Sequence, residues 1–289
     1  MTARNLLRVV LWMTGALLSF STMAVSVREL WRVLNIFEIL TVRSSLGLIM
    51  MLALLALRSD LRPLIRPQRM GLYTLRNTVH FGAQYCWATA LTLLPFATVF
   101  ALEFTTPAWT ALLATWLLGE RLTVSRIGVI VLGLIGVLII LRPGLTAFNP
   151  GAVLVLIAAF GFAIVMTTTK MLTKTEPTFA IIFWMMVIQL PLGLAGSSPT
   201  FPLKLGAWDL LPVLGLGISG MTSHFCLSNA FRAGDATVVV PLDFLRVPLI
   251  AVVGWAFYRE SLDIFVFAGA AVILCGLIWN LRTEARRPH

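Results

Sequence analysis

The sequence predicts an all-α membrane protein of ten transmembrane helices, built as two inverted five-helix repeats over residues 1–145 and 146–289. Three observations carry this expectation. The chain is 59% hydrophobic and only 12% charged, about half the charged share of an ordinary soluble domain. A water-soluble fold of 289 residues has no interior large enough to hide that apolar surface, whereas lipid solvates it. Apolar runs of about 20 residues, enough to carry a helix across a ~30 Å hydrocarbon layer at ~1.5 Å per residue, recur along the chain. The second half also repeats the first.

The first apolar run, 6–27, follows Arg4 and Arg8 and superficially resembles a signal peptide. No small-residue cleavage site follows, and the run is long enough to span, so it is read as the first helix. The second run, 36–58, is closed by Ser59–Gln68 with its two prolines. Residues 71–118 hold two spans, 71–94 and 95–118, divided at Leu94-Pro95. Proline fits the first turn of a helix and disfavours helical geometry in the residue before it, so a tight hairpin is expected there. The fifth span, 124–142, stops at Arg142-Pro143-Gly144, and the sixth, 150–171, starts at Asn149-Pro150-Gly151. The seventh, 178–198, runs into Ser197–Pro202; spans at 207–231, 236–258 and 264–282 complete the set.

The formal charge of +10 does not indicate nucleic acid. Its basic residues stand singly between apolar runs and never form the clustered face that tracks phosphates. With the N-terminus inside, 14 Lys and Arg fall in cytoplasmic segments and five outside, while Arg43, Arg76 and Arg246 lie within spans. That bias places both termini in the cytoplasm. Cys86, Cys226 and Cys275 all sit in apolar segments and read as buried thiols.

Sliding residues 80–142 along by 140 lays them without a gap on 220–282, with 12 of 63 positions identical. Glu103 falls on Asp243 and Tyr85 on Phe225, both chemically matched. Five spans per half is an odd number, so the second half enters the bilayer upside down, as in many secondary transporters.

Ionisable groups are costly inside a bilayer and mark cavities or ion paths. Glu103 lies about eight residues, or ~12 Å, into its helix. Asp243 and Arg246 share a face at similar depth, either as a neutralised structural pair or as substrate-facing groups. Arg76, His80 and Gln84 follow i, i+4, i+8 spacing, a polar stripe along the third helix, and His224 takes the place of Gln84 in the second half. Arg43 is expected to neutralise a carboxylate such as Glu103 more readily than to bind substrate; Arg76 is placed to snorkel to the cytoplasmic end. Tyr85, Trp87, Phe104, Trp109, Phe225 and Phe244 flank these positions. Where they face a cavity they suit a planar or cationic ligand, and otherwise they pack or face lipid. Gly128 and Gly136, in register with Ala268 and Gly276, mark small faces for close packing between halves or protomers.

Two apparent motifs carry nothing. Gly215, Gly217 and Gly220 spell G-x-G-x-x-G without a preceding strand. Ser219 and His224 face apart on one helix, so they form no nucleophile–base pair. No P-loop, Cys-x-x-Cys pair or His-Glu-x-x-His is present. No metal, cofactor or enzymatic activity is expected.

With these landmarks the chain resembles the drug/metabolite transporter superfamily in its ten-helix EamA-type branch. The matching stretches are Leu94-Pro95-Phe96-Ala97 leading into Glu103-Phe104-Thr105-Thr106-Pro107, then Leu118-Gly119-Glu120-Arg121-Leu122, then Gly128 through Pro143. The second half keeps Glu260 but has Arg259 where the first has Gly119. The resemblance covers nearly the whole chain and implies transport of a small metabolite by alternating access without ATP hydrolysis. An amino-acid derivative, a nucleobase- or vitamin-like compound or an amine is the expected cargo, with export as the expected direction. Import of a vitamin or nucleotide-like compound is the alternative, and a non-transporting scaffold or sensor is the alternative of another class. A proton is the candidate coupling ion, with Glu103 as its carrier, and the protein is expected as a monomer or homodimer in the lipid bilayer of a bacterial-type inner membrane.

Overall fold

The computed structural model describes residues 3–118, 123–142, 149–233, 239 and 242–285, and among these no strand occurs. Helix α1 (Ala3–Leu30) covers the first apolar run and α2 (Ile36–Leu57) the second. Asn35 caps α2: its side chain accepts the Glu38 N–H at 2.9 Å, and the Glu38 carboxylate accepts the Asn35 N–H at 2.8 Å. The Glu38 side chain is fully buried and also takes Lys204 Nζ at 2.7 Å, tying the start of α2 to the loop after α8. A 3₁₀ segment, Ser59–Ile65, follows α2.

Helix α3 (Met70–Leu93) ends at Leu94, which is extended, and Pro95 opens α4 (Phe96–Glu103). The hairpin therefore lies where the proline rule puts it. Residues 95–118 do not form one helix, however. The chain turns at Phe104 and Thr105 before α5 (Thr106–Leu118) begins. Pro107 has no N–H to give the Glu103 carbonyl four residues back. The Thr106 hydroxyl donates to that carbonyl instead, at 2.7 Å. The expected span 236–258 is interrupted likewise: residues 242–244 are helical, Leu245 turns, and α10 (Arg246–Tyr258) follows. Pro248 there deprives the Phe244 carbonyl of its donor. The breaks at Thr105 and Leu245 are 140 residues apart, the offset of the sequence repeat.

The remaining helices are α6 (Val124–Leu141), α7 (Pro150–Leu172), α8 (Thr178–Leu194), α9 (Leu210–Ala233) and α11 (Ile264–Ala285). Six helical stretches among the described residues are long and apolar enough to cross a membrane: Leu7–Leu30, Ile36–Leu57, Phe96–Leu113, Pro150–Leu172, Ala207–Leu227 and Ile264–Thr283. Helices α6 and α8 are apolar but shorter. Helix α3 has the length, but Arg76, Asn77, His80 and Gln84 dilute its apolar character.

Helix α1 packs along α9, α3 along α7, α2 against α8, α4 against α10, and α6 against α11. The α6–α11 contact is backbone to backbone. A Cβ on Gly136 would stand 2.6 Å from the Gly269 carbonyl oxygen, and one on Gly269 would stand 2.5 Å from that of Gly136. Gly276 meets Leu132 and Gly128 meets Trp279, so the two helices run antiparallel. Close packing between the halves was one expected role for these small faces, though Gly269 rather than Ala268 is the partner.

A second junction joins α1, the α3–α4 corner and the end of α10. Arg28 pairs with Glu260, donates to the Leu91 and Leu94 carbonyls, and lies 3.5 Å from the Phe96 ring centroid. Glu260 also accepts the Phe96 N–H at 2.9 Å. Both ionised side chains are largely buried. Glu260→Ala would strand a guanidinium and a backbone donor together, at an expected cost of about 2–4 kcal/mol. Thermal unfolding in detergent checks this, with Glu260→Gln expected to cost less because its amide oxygen still accepts from Phe96.

Candidate functional site

Where α4 breaks, its last residue, Glu103, is freed from helical continuity at the level where Asp243 and Arg246 enter from the repeat-related break. Arg246 Nη1 lies 3.6 Å from Glu103 Oε1, and Arg246 Nη2 lies 3.2 Å from Asp243 Oδ2. The second Glu103 oxygen accepts Trp87 Nε1–H at 2.8 Å. The guanidinium also sits over aromatic faces, 4.4 Å from the Phe20 centroid and 5.1 Å from that of Phe104. One cation thus serves two carboxylates that the sequence places 140 residues apart.

These groups line a cavity of ≈ 260 Å³. Seven of the predicted site residues reach it: Arg43, Arg76, His80, Gln84, Glu103, Asp243 and Arg246. Polar partners from α7, α8 and α2 hold the α3 stripe in place. Arg76 donates to Thr169 Oγ1 at 2.8 Å and to Asn77 Oδ1 at 2.6 Å. His80 meets Gln84 at 3.2 Å through Nε2 and Gln189 at 3.0 Å through Nδ1. Gln84 in turn accepts from Arg43 Nη1 at 2.5 Å. Gly220 leaves room for that arginine, since a Cβ there would stand 3.2 Å from Arg43 Nε.

The structure differs from several sequence expectations. Arg43 does not meet Glu103; its partner is Gln84, and Arg246 neutralises both carboxylates instead. Arg76 does not snorkel, because Thr169 of α7 and Asn77 hold it inward at 8% exposure. Tyr85 packs on Phe37, with ring centroids 4.8 Å apart, and is not among the cavity-lining residues. Trp109 stacks edge-on against Phe160, and Phe225 is 62% exposed beside Trp12. The His224 side chain lies outside the described residues, as does the stretch Gly119–Leu122. Ser219 bonds back to the Leu216 carbonyl within α9.

Sequence reasoning missed Gln189, Asn77, Thr169 and Phe20. Gln189 had a readable signal as the lone amide in the apolar stretch of α8. Thr169 had none, because threonine satisfies itself on its own helix and is common in spans.

The profile of the EamA-like transporter family matches this chain twice, over residues 7–142 and 149–282. A riboflavin transporter of Brucella anthropi is 29% identical over 229 residues, covering 76% of this chain and 80% of that protein. An S-adenosylmethionine uptake transporter of Rickettsia felis is 26% identical over 275 residues, covering 95% and 92%. The pseudopaline exporter CntI of Pseudomonas aeruginosa is 26% identical over 271 residues, covering 92% and 93%. A crystal structure with 20% sequence identity superposes with a TM-score of 0.61 over 96% of both chains, a likeness of fold. The two matches together take in nearly every residue, and the chain belongs to the EamA-like transporter family.

Proposed function

We propose that this protein carries a small organic metabolite across the bacterial inner membrane by alternating access, with the charged cavity as its substrate site. The observation that carries the proposal is the meeting of Glu103 and Trp87 from the first half with Asp243 and Arg246 from the second, inside one cavity. Transporters built from repeats hold their cargo at such an interface. Relatives that carry riboflavin, S-adenosylmethionine and pseudopaline, by their names, support a metabolite cargo. Those names include both uptake and export, and direction in a carrier follows the gradients of substrate and coupling ion.

The architecture proposed is ten crossings in two inverted halves, 1–145 and 146–289. Helices α4 and α5 together make one crossing, and the segment before α10 joins it in another. The double family match, the breaks 140 residues apart and the pairing of helices support this. Exchanging the halves maps the α1–α9 contact onto α7–α3 and returns α6–α11 to itself. The 14-to-5 excess of Lys and Arg supports both termini in the cytoplasm. Glu103 is the proposed site of proton coupling.

A thermal-shift screen of the detergent-purified protein tests the substrate site, using riboflavin, S-adenosylmethionine, amino acids, nucleosides and quaternary amines. A compound at 100 times its dissociation constant stabilises by ~2.7 kcal/mol when it binds only the folded state. The expected result is at least one stabilising compound whose effect disappears in Glu103→Gln and in Asp243→Asn. Stabilisation that survives both variants would move the site out of this cavity.

A further inference from the structure

We infer that the molecule bound in this cavity carries an anionic group, a carboxylate or a phosphate, recognised by Arg43 of α2, with Arg76 of α3 a second arginine lining the same cavity. The inference rests on the proposed transport site and names its ligand chemistry. Among the described residues three arginines and two carboxylates line the cavity, one more positive group than negative. Arg246 takes both carboxylates. Arg43 and Arg76 have only neutral hydrogen-bond partners among the described residues: Gln84 for the first, Thr169 and Asn77 for the second.

Arg43 is the sharper case. It is 3% exposed, a guanidinium is charged at any physiological pH, and among the described residues only Nη1 has a hydrogen-bond partner. Nε and Nη2 are buried with no hydrogen-bond partner among the described residues. A buried cation without a counter-charge costs several kcal/mol, and an arginine fork fits carboxylate and phosphate geometry. Simple structural filling is a poor explanation. A neutral residue would pack beside Gly220 without that cost, and among the described residues no carboxylate of α3, α8 or α9, the helices packed against α2, forms an ion pair with Arg43.

The opposite valence is open in the acidic cluster, where Asp243 Oδ1 is buried without a partner among the described residues. A ligand with an anionic group for Arg43 and an N–H or O–H donor for Asp243 satisfies both. Phe20, Trp87 and Phe104 line the same cavity and suit its remaining apolar part. The cargo is therefore set apart from a purely cationic or uncharged aromatic molecule.

The test takes every stabilising compound from the screen above and compares it with its analogue lacking the anionic group. S-adenosylmethionine against its decarboxylated form, and riboflavin 5′-phosphate against riboflavin, are two such pairs. The wild-type protein is expected to bind the anionic member about 10- to 100-fold more tightly, the range of one charged hydrogen-bonded contact. Arg43→Gln should remove that preference, and Arg43→Lys should restore part of it. The analogue comparison on the wild-type protein needs no variant to fold. Equal binding of both members of each pair, or a preference that persists in well-folded Arg43→Gln and Arg76→Gln, overturns the anionic site but leaves the transport reading standing. A screen with no stabilising compound overturns the transport reading and this inference together.

Discussion

Arg246→Gln is expected to lower the stability of the detergent-purified protein by about 3 kcal/mol, because it leaves two carboxylates in a confined cavity without their cation. Arg246 is nearly buried, while Glu103 and Asp243 keep 18% of their side-chain surface exposed, so cavity water offsets part of the loss. A context effect separates charge from packing. In a Glu103→Gln/Asp243→Asn background the same arginine change should cost ~1 kcal/mol or less, since there is no longer a carboxylate to strand. Equal cost in both backgrounds would mean that the guanidinium matters for its stacking on Phe20 and Phe104, not for its charge. Denaturation followed by intrinsic tryptophan fluorescence has a nearby reporter in Trp87.

Gly269→Val is expected to have a comparable effect, a loss of ~3 kcal/mol, by driving α6 and α11 apart. The obstacle at Gly269 is the Gly136 carbonyl oxygen, a backbone atom that no rotamer change moves aside. Gly136→Val meets the Gly269 carbonyl and should cost about as much. Gly82→Ala is the control. A Cβ there touches nothing within 4 Å, and alanine should match or slightly exceed wild-type stability through helix propensity. Thermal unfolding midpoints of the three variants, measured side by side, check the ordering.

Legibility in the sequence followed the physics of each signal. Six of the expected spans were readable because lipid demands uninterrupted apolar length, and the Leu94-Pro95 hairpin was readable because proline acts on its immediate neighbours. The breaks at Thr105 and Leu245 were not read, although Pro107 and Pro248 were visible, because both prolines sit in runs long enough to cross unbroken. Hydropathy carries no penalty for a lost backbone hydrogen bond. The charged residues that line the cavity were legible for the same reason as the spans: Arg43, Arg76, Glu103, Asp243 and Arg246 are costly where they stand. Their partners were not. Pairing Glu103 with Arg246 requires α4 and α10 to be neighbours, and a single sequence holds no such contact. Aromatic positions failed most often, since Tyr85, Trp109 and Phe225 serve packing or face outward as readily as they face a cavity.

The central claim is that this shared cavity is where the protein holds what it moves. The most direct measurement is counterflow exchange of a radiolabelled stabilising compound in proteoliposomes, run on the wild-type protein and on Asp243→Asn. The account predicts exchange well above that of protein-free vesicles for the wild type, and exchange at the protein-free level for an Asp243→Asn protein that unfolds with an unchanged cooperative transition. Undiminished exchange in that variant would contradict it.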